Sequence, residues 1–233
     1  MAVDVAKHWQ TGWDKYEKDL VRLIGSYENP DVLELGGGGH PMYELDQIPS
    51  RINSYTVNDV SQAELDKLPA GYDMGCFDVC GDASAFAGRY DVIFSRFLAE
   101  HVPDGFAMHR NIWHLLKPGG VAIHLIPTMF ASPFIINRLL PERLTHAMLM
   151  TFFSFREGGK FPALYSMCRG GTPQMYNAFK RIGYSETSIE SYYDHFYYER
   201  ITVLRQIETF VSTLASKRDW AWYSSFAVII ARK

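Results

Sequence analysis

Asp31-Val32-Leu33-Glu34-Leu35-Gly36-Gly37-Gly38-Gly39-His40 is an apolar run that meets four glycines in a row. A buried parallel strand has this look where it breaks into a loop. Glycine tolerates positive φ and, having no Cβ, lets backbone come close to a ligand, so the loop is expected to lie against one. A dinucleotide site wants G-x-G-x-x-G, but the third glycine position falls on Pro41 when counted from Gly36 and on Met42 when counted from Gly37. A phosphate-cradling loop needs Gly-Lys-Ser/Thr at its far end, and no lysine occurs between Asp31 and Lys67. Both phosphate readings are weak.

What is left is acid-x-Gly-x-Gly, carried by Glu34, Gly36 and Gly38. Three further signals follow it in order. The segment Ser54-Tyr55-Thr56-Val57-Asn58-Asp59 reads as a strand ending in an acid, Gly81-Asp82-Ala83-Ser84 precedes Tyr90-Asp91-Val92-Ile93-Phe94-Ser95, and Leu116-Lys117-Pro118-Gly119-Gly120 leads into Val121–Ile126. Asp59 lies where an acid that accepts from two vicinal ribose hydroxyls should lie, although in isolation it reads first as a helix cap or solvated turn. Taken together, these stretches resemble the class I methyltransferases that use S-adenosylmethionine, over about Asp31 to Pro127.

The resemblance implies S-adenosylmethionine as cofactor and assigns roles to particular residues. Glu34 would sit near the ammonium of the cofactor's amino-acid tail, with Gly36, Gly37 and Gly38 beneath it. Asp59 would hold the ribose, with Val60 beside it. Asp82 would accept from the adenine amino group and the Ala83 amide would donate to the ring, while Ser95 and Arg96 would face the cofactor from the end of the fourth strand. Enzymes of this class that methylate nucleobase amines carry Asn/Asp-Pro-Pro-aromatic after that strand. Here it is Arg96-Phe97-Leu98-Ala99-Glu100-His101-Val102-Pro103, which resembles the small-molecule, type 11-like branch.

Composition is compatible with this. The 233 residues suit one α/β domain, and 15% aromatic content would fill a core with some rings left for a pocket. A net charge of −3 without a basic run argues against a nucleic-acid partner. Cys76, Cys80 and Cys168 show no zinc spacing and read as reduced thiols of a cytoplasmic protein. Met1 to Lys7 lacks the apolar stretch of a signal peptide. Pro118 to Asn137 carries no Asp, Glu, Lys or Arg, but its three prolines, two glycines and His124 argue against a membrane span.

Periodicity predicts a helix over His8 to Ile24, with Trp9, Trp13 and Tyr16 placed to pack or to cap the site. Further helices are expected at Met42–Ile48, Ser61–Leu68, Ala107–Leu116, Gln174–Ile182 and His195–Lys217, the last with Ile201, Leu204, Ile207, Val211 and Leu214 on its apolar face. Strands are expected around Met74–Ser84, Arg89–Ser95, Val121–Ile126, Tyr184–Tyr192 and Trp222–Arg232. This is an α/β, Rossmann-like arrangement, a seven-stranded sheet which by resemblance has the order 3-2-1-4-5-7-6, its last strand antiparallel, flanked by helices. One domain, 1–233, divides into a cofactor-binding core (28–127), a helical lid insertion (128–172) rich in Phe, Met and Leu, and a C-terminal half of the sheet (173–233). The insertion also suits a dimer-facing or membrane-facing patch.

Methyl transfer from a sulfonium is an in-line displacement, for which holding nucleophile and methyl in contact contributes up to ~7–11 kcal/mol. A hydroxyl nucleophile gains a further hundredfold to ten-thousandfold or so from a base, and histidine titrates in the right range. His101 and His124 lie near the carboxyl ends of the fourth and fifth strands, where open α/β sheets bind ligands, with His101 the first choice. Glu100 would orient it. No Asp/Glu/His metal set is evident. The expected activity is O-methylation of a small hydroxylated acceptor, a sugar or specialised metabolite. Amine methylation and a non-catalytic cofactor-binding partner are the rivals.

Overall fold

The computed structural model describes residues 7–130, 163–195 and 202–233. Seven strands form one sheet in the order β3-β2-β1-β4-β5-β7-β6. They are β1 (Asp31–Leu35), β2 (Ser54–Asp59), β3 (Asp73–Cys76), β4 (Tyr90–Arg96), β5 (Leu116–Pro127), β6 (Glu186–Tyr192) and β7 (Phe226–Arg232). The first five pair in parallel, and β7 runs antiparallel between β5 and β6. The expected order and the antiparallel last strand are both found.

The period of two along each strand sorts side chains to two faces. Val32, Val57, Val92, Phe94, Ile123 and Val228 face one layer, and Leu33, Ile93, Ala122, Ile126 and Ile229 the other. On the first face lies helix α1 (Trp9–Gly25), with Tyr16, Leu20, Leu23 and Ile24 buried at helical spacing. Helix α2 (Gln62–Leu65) adds Leu65 to the same face. Helices α3 (Gly105–Leu115) and α4 (Pro173–Ile182) cover the other with Met108, Ile112, Met175 and Phe179.

Helix α1 runs against the direction of the parallel strands. Its start meets Tyr193 just past β6, where the Trp9 amide donates to the Tyr193 carbonyl at 2.9 Å. Just beyond its far end, Tyr27 donates to the Gly119 carbonyl at 2.8 Å. At that amino edge Lys117 reaches Asp31 at 2.7 Å and Asp91 at 2.6 Å. The lysine of Leu-Lys-Pro-Gly-Gly thus ties β1, β4 and β5 together, while the register slips between Tyr90 and Val92 to absorb the turn.

Several expected elements are shorter or absent. Met42–Ile48 holds only a 3-10 turn at Leu45–Gln47. The Met42 amide is taken by the Glu34 carboxylate and the Tyr43 carbonyl by the Tyr72 hydroxyl, so this backbone is spent on tertiary bonds rather than a helix ladder. The helix expected from Ser61 is capped by that serine's hydroxyl on the Glu64 amide and ends at Leu65. The third strand stops at Cys76, and the last begins at Phe226 after a 3-10 turn at Ala221–Tyr223. The helix expected at His195–Lys217 is described as α5 (Thr202–Lys217), residues 196–201 lying outside the described residues. It also faces the other way. Glu208, Ser212, Ala215 and Ser216 point inward, whereas Val203, Ile207 and Phe210 are 66%, 56% and 71% exposed. Glu208 fixes that orientation, held by Tyr223 at 3.1 Å, Ser212 at 3.2 Å and the His195 ring at 3.3 Å. Most of the expected lid, 131–162, lies outside the described residues.

Candidate active site

The glycine loop leaves β1 at the carboxyl edge of the sheet, between the ends of β2 and β4. Gly36 and Gly38 have φ of +70° and +47°, the left-handed region in which a side chain is strained. A Cβ on Gly38 would lie 2.9 Å from Asp59 Oδ2, and one on Gly37 would lie 2.7 Å from Val57 Cγ1. The loop is therefore a cradle that has no room for side chains. Asp59 serves two sides of it, since Oδ1 accepts from the Ser61 amide at 2.8 Å while Oδ2 stands against Gly38. Val60 beside it is 70% exposed.

Next to β2, the chain from Gly75 to Gly81 is pinned by two asparagines that the sequence reading passed over. Asn58 donates to the Gly75 and Phe77 carbonyls at 2.7 and 3.0 Å, and Asn111 of α3 donates to those of Val79 and Gly81 at 2.9 and 2.7 Å. Asp82 is exposed and accepts from the Ser84 amide at 2.9 Å; the amide and hydroxyl of Ser84 hold its carboxyl below the usual range. Ala83 is buried beside it.

Beneath the loop on the α1 side is a polar cluster. Glu34 is 3% exposed, and its Oε2 accepts from the Met42 amide at 2.8 Å and from the Tyr55 hydroxyl on the neighbouring strand. Its Oε1 faces Arg96 at 3.5 Å. Burial pushes the Glu34 carboxyl up, against the pull of Tyr55, Met42 and Arg96. Tyr16 of α1 donates to the Ser95 carbonyl at 3.2 Å, and the hydroxyl of Tyr43 is buried with no hydrogen-bond partner among the described residues. A lone tyrosine in a Gly/Pro-rich stretch gave no sequence signal for that.

At the exit of β4, Phe97 sits at φ +51°, its ring 5.1 Å from Trp13 and 6.1 Å from Phe226. Leu98 packs on Gly36, whose added Cβ would be 3.0 Å from it. The turn then brings His101 Nε2 to 3.7 Å from Glu100, with the His101 side chain about a third exposed (32%). Of the two expected bases, His101 lies on this open edge and His124 does not. The alternation of β5 turns His124 to the α3 face, where it is fully buried, its Nδ1 2.8 Å from Ser95 Oγ and its ring 5.1 Å from that of His109. Ser95 is equally buried, so its side chain belongs to this core contact while its carbonyl faces Tyr16. Burial, then His109, push His124 well below the usual histidine range. That position has no access for a substrate, which corrects the expectation of His124 as a base.

Among the described residues no three His, Cys, Asp or Glu side chains gather as a metal site. Among them, too, no helix is long and apolar enough to cross a membrane.

The carboxyl edge of the sheet thus brings together a glycine cradle, a carboxylate beside it and an exposed acid next to a pinned loop. Residues 8–178 match the methyltransferase domain family, and the chain belongs to that family. It is 28% identical over 134 residues to a polyketide synthase–nonribosomal peptide synthetase, pyiS, of Pyricularia grisea. That match covers 52% of this chain and spans only 3% of the relative's length. Among solved structures, it is similar to an S-adenosylmethionine-dependent methyltransferase from Mesorhizobium loti, at 15% identity and TM-score 0.57 over 95% of this chain and 97% of the other. It is also similar to phosphoethanolamine N-methyltransferase 2 of Haemonchus contortus in complex with S-adenosyl-L-methionine, at 16% identity and TM-score 0.58, covering 95% and 53%.

What this chain carries is a methyltransferase domain. The residues present fit S-adenosylmethionine as the methyl donor, with a cradle that a Cβ would fill, a carboxylate at its rim and, below it, a buried phenol hydroxyl that has no hydrogen-bond partner among the described residues.

Proposed function

We propose that the methyl group is delivered to a hydroxyl oxygen of a small acceptor, such as a sugar or specialised metabolite. The observation that supports this most is His101, partly exposed at the carboxyl edge one turn beyond β4 with the Glu100 carboxylate at its ring. When bound, the cofactor supplies an electrophilic methyl on a sulfonium. The remaining work falls to the chain. Gly36, Gly37 and Gly38 admit the nucleoside, Asp59 and Val60 flank its ribose, and Asp82 with the Ala83 amide reads its adenine. His101 takes the acceptor's hydroxyl proton on its imidazole, with Glu100 steadying the cation that results. Cytoplasmic residence belongs to the same reading, supported by three unpaired cysteines, as does a homodimer.

The test is mass-labelled methyl transfer into a metabolite extract, run with wild type and with His101→Ala. An O-methyl product whose formation falls a hundredfold or more in the variant, at unchanged S-adenosylhomocysteine affinity, supports the proposal. An N-methyl product made equally fast by both proteins overturns it, and binding without turnover on any extract favours the non-catalytic reading.

A further inference from the structure

Helix α5 turns an apolar face to solvent. Val203, Ile207, Phe210 and Leu214 recur along it at helical spacing, flanked by Leu204 and Val211, while Glu208, Ser212 and Ala215 face the opposite way into the fold. Val203, Leu204, Ile207 and Phe210 are exposed, and Val211 and Leu214 are half-buried. A contiguous apolar face of this kind marks an interaction site, which singly scattered surface hydrophobics do not. The row runs on into cations. Three and four residues past Leu214 come Lys217 and Arg218, both exposed, and the only acid between Thr202 and Arg218 is the buried Glu208. The Arg218 guanidinium lies 5.3 Å above the Trp220 ring, on which the exposed Trp222 is stacked at 5.5 Å. Asp219, the next carboxylate, is taken by the Lys7 ammonium at 2.9 Å. The connection that carries α5 leaves β6 and enters β7 at the carboxyl edge of the sheet, the edge where the glycine loop opens.

We infer that the outward face of α5 docks the protein on the surface of an anionic lipid bilayer. Charge decides among the occupants such a face could take. A second copy laid along the same stripe would set Lys217 and Arg218 against a helix that exposes no acid, so the two cations would meet no counter-charge. An anionic headgroup layer supplies that charge, and the aliphatic row enters the acyl boundary beneath it. The stems of the lysine and the arginine lie along apolar surface and lift their charged ends to the phosphates. Trp222 adds the kind of side chain that settles at that depth, an apolar ring with one polar N–H. Docking needs no change of fold, since the His195 ring and the Tyr223 hydroxyl hold Glu208 on the helix's other side. The helix lies on the membrane and does not cross it, and the edge that bears the candidate active site is brought toward the lipid.

The experiment measures partitioning of the full chain onto vesicles by sedimentation, with phosphatidylcholine alone and with phosphatidylcholine mixed with phosphatidylserine. It compares wild type with two double variants, Ile207→Ser with Phe210→Ser and Lys217→Gln with Arg218→Gln. All four side chains are exposed, and circular dichroism verifies that both variants fold. Each basic residue is worth about fivefold at an anionic surface, so wild type should prefer the mixed vesicles at least about tenfold over the neutral ones. Added salt should erase that preference. Lys217→Gln with Arg218→Gln should bring binding to the mixed vesicles down to the neutral level, and Ile207→Ser with Phe210→Ser should weaken binding to both at least tenfold. The proposal is overturned if wild type sediments with neither vesicle, binds both equally, or is matched by either variant. It is also overturned if wild type stays off the vesicles and is a dimer in analytical ultracentrifugation that Ile207→Ser with Phe210→Ser splits, in which case the face belongs to a second copy.

Discussion

Asp59 stands against Gly38 so closely that the carboxylate oxygen and an added Cβ would be 2.9 Å apart. The strand that ends in the acid and the loop that gives up its side chains are built as one surface. Gly38→Ala forces a side chain into that contact at φ +47°, at a strain of about 1–3 kcal/mol. The expected result is a folded protein whose affinity for S-adenosylhomocysteine drops at least tenfold by calorimetry. Wild-type affinity in the variant would contradict the cradle.

Asn111 holds the turn before Asp82 by two carbonyls. Asn111→Ala leaves those carbonyls to find water, and the loop should lose its fixed position while the core persists. A loss of about 1–3 kcal/mol is expected from unmade bonds of this kind. The check is a pair of titrations, with adenosine-containing ligands weakened and the urea midpoint shifted by a comparable free energy.

Gly12 faces the Tyr192 ring, and a Cβ there would come within 2.6 Å of it. Gly12→Ala overpacks the contact between α1 and β6, at about 1–3 kcal/mol. Since α1 also brings Tyr16 to the Ser95 carbonyl and Trp13 to Phe97, ligand affinity should fall together with the melting temperature. An unchanged affinity would show that α1 does not shape the cleft.

His109 and His124 are fully buried, and burial lowers His109 to about 4 and His124 well below the usual range. Both folded values lie below the unfolded one near 6.5. The unfolded chain therefore binds more protons below that pH. The stability these rings contribute is present above about 6.5 and is lost as pH falls toward 4, with a slope of up to ~1.4 kcal/mol per pH unit for each ring. Urea midpoints measured between pH 7 and pH 5 should fall steadily, and His109→Leu should flatten that fall. A steeper slope in His109→Leu would refute the assignment.

Most strands and helices were legible because they rest on local signals: an apolar run, its glycine stop, a lysine-proline-glycine turn; the strand order came from the resemblance to the class I methyltransferases. The pairing of Asp59 with Gly38 was legible in outline from spacing. The Glu34, Tyr55, Tyr43 and Arg96 cluster was not, because it joins side chains from two neighbouring strands, a loop and a strand end through contacts that no period marks. His124 was misjudged in its access to substrate, since proximity to a strand end does not decide which face a side chain takes. The outward turn of α5 escaped for a related reason. Periodicity finds the apolar stripe of a helix, but a buried carboxylate with three partners decided which side went in.

That helix is fastened by hydroxyls, a carboxylate and an imidazole, and it leaves Val203, Ile207 and Phe210 to the solvent. Separating such a helix from its bed uncovers little oily area, so the event has a small heat-capacity signature. The C-terminal flank of the sheet is in this sense held by directional polar contacts, whereas the strands behind it are held by water's aversion to hydrocarbon.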